Sequence, residues 1–567
     1  MPHNMSSDHP DPRTLFRKRL IVCCDGTGQS SSTGRAEVPT NVSRLVQALK
    51  TSHIRPKHTE SGTLKIDRGV EEVPQIVLYQ TGIGATGVTK FSKGLASAFG
   101  IGVDEHILEA YCFIANNFED GDELFLFGFS RGAFTARAVA SLMCNAGLLK
   151  KESLGYLPKI YAEYKLRRED DASKAKFENW WNNERYKFQF HDNVVITILG
   201  VWDTVSSIGI PQTWLSTASG LDWLRKRYNA SYAYHDTSLP GKRDHKKKDP
   251  RAYVHRAFQA LSLEENRTSF EPILLRFPKQ INEKPEHGPE FQQCWFPGVH
   301  TDVGGGYERD YRDLSDISFA WMVDMCWPYL NFQQLSEILK RPTLIQNDKE
   351  KSIEASMVEK LPEDKPWALT AAHDELKKSL MFFLGGWTAR KPKQYYLDQR
   401  FGPDGERFPD GQRVVTHEYI HASVRRRMMH SPNEDGSPWQ PPSLDGFILE
   451  KDGDKWKWVK TIKVKGKWQS IAIREWTPGD ACTCEGASEE RALLDRDVWD
   501  ALRDEEAVKR IKFVNLKSRM WLRVLGLTII VGAAVAWYVH SKHPGSNWLS
   551  HPPVPLPSFL YRYTVNF

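Results

Sequence analysis

The stretch Glu123-Leu-Phe-Leu-Phe-Gly-Phe-Ser-Arg-Gly-Ala-Phe-Thr-Ala-Arg-Ala-Val-Ala140 decides the fold. Its opening run, residues 123–127, is apolar and of strand length, and residues 133–146 read as helix. Gly128-Phe-Ser-Arg-Gly132 therefore falls at a strand-to-helix turn. In such a turn the two glycines, Gly128 and Gly132, let the backbone fold back tightly, and the Ser130 hydroxyl projects from the C-terminal edge of the strand. The helix that follows aims its free N–H groups and the positive end of its dipole at the same point. G-x-S-x-G as a bare pattern recurs by chance; the strand, turn and helix around it make Ser130 a candidate nucleophile.

Working outward, apolar runs of the same kind occur at Leu20-Ile-Val-Cys-Cys24, Gln75-Ile-Val-Leu-Tyr79 and Val194-Val-Ile-Thr-Ile-Leu-Gly-Val-Trp202, with helical patterns over 41–50 and 103–117. Continuous apolar strands alternating with amphipathic helices predict an α/β fold, a mostly parallel sheet with helices on both faces. This predicted α/β-hydrolase-like domain spans residues 17–332, broken by a charged insertion over about 214–251, after a disordered N-terminus at 1–16. Residues 333–510 change to Pro, Lys, Trp and Glu with short strands, such as Trp456-Lys-Trp-Val-Lys-Thr-Ile-Lys-Val464, and read as an accessory region packed beside the core.

The 567 residues, 40% hydrophobic and 26% charged, are those of a folded globular chain. The net charge of +6 comes without any finger, RNA-binding or helix-turn-helix pattern, and Lys246, Lys247 and Lys248 read as a solvated loop, so no nucleic-acid partner is expected. Eight cysteines in so long a chain make no disulfide framework. Residues 1–19 carry no apolar stretch of the secretory kind.

A serine hydroxyl becomes nucleophilic when a histidine takes its proton, and that histidine needs a carboxylate to hold it. The chain order in this fold is Ser, acid, His. Asp203 directly follows the run ending at Trp202, which sets it at the same sheet edge as Ser130. His300 lies in Phe296-Pro-Gly-Val-His-Thr-Asp-Val-Gly-Gly-Gly-Tyr307, a glycine-rich loop beyond the remaining core elements. Asp25-Gly26-Thr27-Gly28 follows the first strand, where a second oxyanion donor is expected, so the N–H of Gly26 or Thr27 pairs with that of Arg131. The alternative for this segment is a plain turn with Asp25 as a structural anchor.

Cys24-Asp-Gly-Thr27, Thr81-Gly-Ile-Gly84, Gly128-Phe-Ser-Arg-Gly-Ala133, Val201-Trp-Asp-Thr-Val205, Ala260-Leu-Ser-Leu-Glu-Glu-Asn-Arg267 and His300-Thr-Asp-Val-Gly-Gly-Gly-Tyr307 resemble, in this order, the uncharacterised α/β-hydrolase family that includes the type VI secretion phospholipase effector (Tle-like) catalytic domain. The resemblance covers about residues 17–326. It implies a triad of Ser130, Asp203 and His300 and, from the studied bacterial members, a phospholipase activity, without fixing the substrate of this chain; the reaction is expected to need no cofactor or metal.

Three motifs compete. His417-Glu-Tyr-Ile-His421 fits the H-E-x-x-H zinc pattern, but no third ligand stands at a set spacing, and a helix packed on the core is the expected reading. Gly82-Ile-Gly84-Ala-Thr-Gly87 fits a dinucleotide fingerprint but closes no βαβ unit. Cys482-Thr-Cys484 has no second pair to complete a metal site.

Residues 521–539 approach the roughly 20 that span a bilayer, and 524–539 hold no charge. Lys509, Arg510, Lys512, Lys517, Arg519 and Arg523 precede them, whereas Lys542 and Arg562 follow. The positive-inside rule then predicts a single C-terminal transmembrane helix with the catalytic domain in the cytosol and a short tail, 540–567, across the membrane. The sequence thus predicts a membrane-tethered serine ester hydrolase acting on a lipid ester, with a catalytically silent, membrane-anchored interaction module as the alternative.

Overall fold

The computed structural model describes residues 17–26, 39–56, 70–82, 102–167, 171–205, 250–275, 290–307, 313–333, 368–369, 372–373, 387–395, 416–430, 439–453, 455–464 and 466–477. The chain divides into two units, Met1–Phe513 and Val514–Phe567, and every described residue lies in the first.

Five strands carry the centre. β1 (Arg19–Cys24), β4 (Glu123–Phe129), β5 (Val195–Trp202), β6 (Tyr253–Ser262) and β7 (Glu290–Phe296) lie side by side and all parallel. Outside β1, β3 (Val70–Gln80) pairs parallel and β2 (Ser52–Pro56) antiparallel. Beyond β7 come β8 (Glu418–His421) and β11 (Lys467–Trp476), both parallel, and then β10 (Lys455–Val464) and β9 (Ile448–Asp452) as an antiparallel edge. Among the described residues the result is one sheet of 11 strands in the order β2-β3-β1-β4-β5-β6-β7-β8-β11-β10-β9.

Eight α-helices matter here: α1 (Asn41–Ala48), α2 (Val103–Asn117), α3 (Arg131–Ala146), α4 (Leu157–Lys165), α5 (Asp171–Glu184), α6 (His300–Gly304), α7 (Asp313–Cys326) and α8 (Ala422–His430). The strand pleat sorts the core between them. Leu20, Val22, Leu124, Leu126, Leu199 and Val201 face a cluster shared with α2 to α5. Their neighbours Ile21, Cys23, Phe125, Phe127 and Ile198 face α1 and α7 on the other side. A strand buried on both faces must be apolar at every position, which is why these runs read as unbroken. Each fully buried Leu, Ile or Phe adds about 1.5–3 kcal/mol.

The accessory reading of 333–510 needs correction. Its described strands do not form a body beside the core; β8 joins β7 through Gln293↔Glu418, Cys294↔Tyr419 and Trp295↔Ile420, and the sheet runs on. A third core cluster, with Trp295, Ile420, Val424, Trp458, Ile471 and Ile473, fastens this extension. The compositional shift that suggested a boundary is the alternation of an antiparallel edge, with Trp458 and Val464 buried and Lys455, Thr461 and Lys463 exposed.

The H-E-x-x-H motif is also corrected. His417 has φ +41, residues 418–421 are the strand β8, and the helix begins only at Ala422. Glu418 accepts from the Trp295 indole and the Lys393 N–H, and His421 lies against Phe296. A strand was chosen because Tyr419 and Ile420 slot between two parallel neighbours. Among the described residues no helix is long and apolar enough to cross a membrane, and the segment 521–539 lies outside them. So do Cys482, Cys484, the Gly-rich motif from Ile83 onward, and nearly all of the expected 214–251 insertion.

Candidate active site

Ser130 caps α3 at the end of β4 with φ +57 and ψ −120, a left-handed conformation costly for any residue with a side chain. Two close approaches enforce it. A Cβ on Gly132 would lie 2.1 Å from the Cys24 carbonyl oxygen, and one on Gly128 would lie 2.4 Å from the Gly132 carbonyl oxygen. With those glycines the helix start packs directly onto the ends of β1 and β4, and the turn has no room to relax. The Ser130 N–H donates to the Trp202 carbonyl at 3.0 Å, which ties the turn to β5.

Asp203, the next residue after Trp202, also has positive φ, +43, and its N–H donates to the Ala260 carbonyl at 2.7 Å. Its carboxylate is fully buried. Oδ2 lies 2.6 Å from His300 Nδ1, and Oδ1 accepts the Ser262 N–H at 3.0 Å. Arg390 completes the set: one guanidinium nitrogen bonds Oδ1, the other donates to Oδ2 at 2.9 Å. Burial pushes the carboxyl up, but the charge of Arg390 and the bond to His300 outweigh it and hold Asp203 at about 2. An ionised carboxylate only accepts, so Nδ1 carries the proton and Nε2 is left as the basic nitrogen.

His300 opens α6 and is buried between two rings, Phe129 at 4.7 Å and Phe270 at 5.1 Å between centroids. Its own N–H donates to Glu265 at 3.3 Å. Glu265 is paired with Arg267, whose guanidinium lies 3.6 Å over the Phe270 ring. Glu264 accepts the Gly298 N–H at 2.6 Å. The glutamates of Leu263-Glu-Glu-Asn-Arg267 thus hold the histidine loop, a role the sequence pattern did not disclose.

Of the expected site residues, the structure brings Asp203 and His300 into contact and sets Ser130 on the neighbouring strand end, beside Phe129, which packs on the imidazole. The expected oxyanion donors fare differently. Arg131 is the first residue of α3, so its N–H has no partner within the helix. The Gly26 N–H donates to the Asp25 carboxylate at 2.6 Å, and Thr27 lies outside the described residues. Asp25 also accepts from Thr40 Oγ1 and the Tyr79 hydroxyl, and burial raises its carboxyl. Sequence reasoning missed Arg390 altogether. It stands 187 residues beyond Asp203, in Thr388-Ala-Arg390, with no motif around it. A second acid–imidazole pair was missed as well: Asp302 Oδ1 lies 2.6 Å from His373 Nδ1, and its Oδ2 accepts the Val299 N–H.

A mostly parallel α/β sheet with a strained serine turn and an Asp–His pair on one edge has the architecture of the α/β-hydrolase class. The family model described as T6SS, Phospholipase effector Tle1-like, catalytic domain, matches residues 18–325, more than half of the 567, and the chain belongs to that family. It is similar to an uncharacterized protein of Saccharomyces cerevisiae, 29% identical over 220 residues, covering 36% of this chain and 29% of that protein. Among solved structures it is similar to an uncharacterized protein from Pseudomonas aeruginosa, with 15% identity, TM-score 0.30, and coverage of 58% of this chain and 49% of the other. It is also similar to the Tle1 effector bound to the VgrG spike of the type 6 secretion system, with 17% identity, TM-score 0.25 and 52% of each chain covered. The chain therefore spans about half or less of the length of these relatives.

Proposed function

We propose that this chain is a serine ester hydrolase acting on phospholipids or related lipid esters. The observation that carries the reading is the buried His300–Asp203 bond of 2.6 Å at the sheet edge where Ser130 is held in a strained turn. Membership of a phospholipase effector family supports the substrate class.

In the proposed reaction Ser130 Oγ attacks the ester carbonyl carbon while His300 Nε2 takes the hydroxyl proton. The resulting imidazolium is stabilised by Asp203. Negative charge on the carbonyl oxygen meets the N–H of Arg131 and the N-terminal end of α3. Collapse breaks the bond to the leaving alcohol, which receives the proton from His300 and leaves an acyl-serine. Water then repeats the sequence, its proton passing to His300 and returning to Ser130 as the free acid departs. No electron is transferred and no further reactant is needed.

The tether is part of the proposal. An uncharged apolar segment over 524–539, preceded by six cationic side chains from Lys509 to Arg523, suits a single span with the catalytic unit on the cytosolic side. Such a span would hold the site at a lipid surface and raise the local substrate concentration.

The test is labelling of purified full-length protein with a fluorophosphonate, followed by a lipid-ester hydrolysis panel. One labelled serine, lost in Ser130→Ala, together with hydrolysis of phospholipid, is expected. Full hydrolysis by Ser130→Ala would overturn the mechanism. Failure of the wild-type protein to label would instead favour a silent module.

A further inference from the structure

Arg390 comes from outside the matched domain, yet its side chain ends on the acid of the site. The guanidinium makes two bonds to Asp203, one to each carboxylate oxygen, and it also donates to the Ser262 carbonyl at 3.1 Å and the Phe270 carbonyl at 2.8 Å. It is itself buried. Its backbone is anchored: Trp387 pairs with Arg267, the Thr388 N–H donates to the Asn266 carbonyl at 2.8 Å, and the Lys393 N–H donates to Glu418 at 2.7 Å. An arginine so fixed is a planar fork set against a carboxylate, a geometry that lysine's single ammonium does not reproduce.

We infer that Arg390 is a positioning residue of the hydrolytic site, clamping the Asp203 carboxylate in the plane that meets His300 and offsetting its charge. The inference rests on the serine hydrolase reading above and adds to it a part supplied by the chain beyond residue 325.

Two consequences follow from elementary electrostatics. A buried carboxylate facing a single imidazole favours the imidazolium, because that cation is then its only counter-ion. A histidine already protonated cannot accept the serine proton. With Arg390 present, Asp203 already has a fixed counter-ion on both carboxylate oxygens, and removing the guanidinium would leave the imidazole as the carboxylate's sole partner of opposite charge. The other charged and titratable groups packed on the pair do not replace this balance. Glu265 and Arg267 neutralise one another at 2.7 Å, and the Tyr395 hydroxyl, close to Arg390, is kept protonated by burial. Ser262 contributes only a neutral N–H.

The test compares full-length wild type, Arg390→Met and Arg390→Lys by the pH dependence of kcat/KM on a soluble short-chain ester and by the rate of fluorophosphonate labelling. In Arg390→Met the acid limb of both profiles is expected to move up by about one pH unit, with kcat falling and KM nearly unchanged. Arg390→Lys keeps the charge and loses the fork, so its acid limb is expected to stay near wild type while kcat falls about tenfold. A merely structural role would lower activity at every pH and leave the limb in place; an unmoved limb in Arg390→Met overturns the charge-balancing part. Wild-type kcat in Arg390→Lys overturns the clamp, and that variant decides the matter should Arg390→Met fail to fold. Absence of labelling in wild type is a different failure, of the hydrolase reading itself, and is seen before any variant is made.

Discussion

Ser130 holds a backbone conformation that only glycine adopts without cost, and it does so where glycine would have no hydroxyl. Ser130→Gly is therefore expected to stabilise the fold by about 1 kcal/mol while abolishing hydrolysis, measurable by denaturant unfolding alongside turnover. The flanking glycines have the opposite character. At Gly132 a new Cβ would meet the Cys24 carbonyl at 2.1 Å, and backbone cannot step aside as a side chain can. Gly132→Ala is expected to cost about 3 kcal/mol or more, and no rearrangement of the turn that spares Ser130 offsets it. Asp203 links the site to acid stability. Its folded-state value of about 2 lies below the ordinary 3.8, so its contribution is present above pH 4 and is lost as pH falls towards 2. That contribution is on the order of 2 kcal/mol. The stability difference between wild type and Asp203→Asn is expected to narrow across this window; a difference constant down to pH 2 would show that the carboxylate is not held ionised by its partners.

At the scale of elements, what the sequence disclosed and what it hid divide along a physical line. The strands at 19–24, 123–129 and 195–202 are buried on both faces, so unbroken apolar runs announced them, and α2 was foreseen at its observed limits, Val103–Asn117. β6 was not foreseen, because His255 and Arg256 break its apolar run, nor was β7, where Gln292 and Gln293 do the same. Gln293 spends its amide on the Leu275 and Thr416 carbonyls, a polar role that a hydrophobic pattern does not reveal. The candidates Ser130 and Asp203 were legible because each follows a recognisable apolar strand, and His300 because it lies in a glycine-rich loop at the place the order Ser, acid, His requires. Arg390 was not, since its partner lies far away in the chain and nothing local marks it. β8 shows how much hangs on a short element. It has four residues and joins seven strands on one side to three on the other. Ile420, fully buried there, is expected on truncation to Ala to cost about 3 kcal/mol. Amide exchange across β9 to β11 should quicken in that variant more than exchange in β1 and β4, and equal effects on both groups would show that the extension is not held through β8.

For the molecule as a whole, the match to residues 18–325 is not the boundary of a folding unit. A chain ended at residue 333 would leave β7 as a bare edge, uncover Trp295, and lack both Arg390 and Glu418. It is expected to be insoluble or to aggregate on expression, checked by sedimentation and light scattering; a soluble, active fragment would show that the extension is dispensable. Removing the chain from Lys517 onward should have the reverse effect, giving a protein recovered without detergent that still cleaves short-chain esters but loses activity on lipid bilayers. Persistence of bilayer hydrolysis after that truncation would separate lipid recognition from the apolar segment.

The separation of 187 residues between Asp203 and Arg390 also sets a clock. A ribosome adding 5–20 residues each second needs roughly 10–40 s to deliver Arg390 after Asp203 has been made. During that interval the serine turn, the acid and, later, the histidine exist on the nascent chain without the guanidinium that bonds Asp203 in the folded protein. Under the proposed reading, the growing polypeptide would gain full hydrolytic competence only as β8 to β11 are about to follow, so maturation would be timed by the order in which its parts are translated.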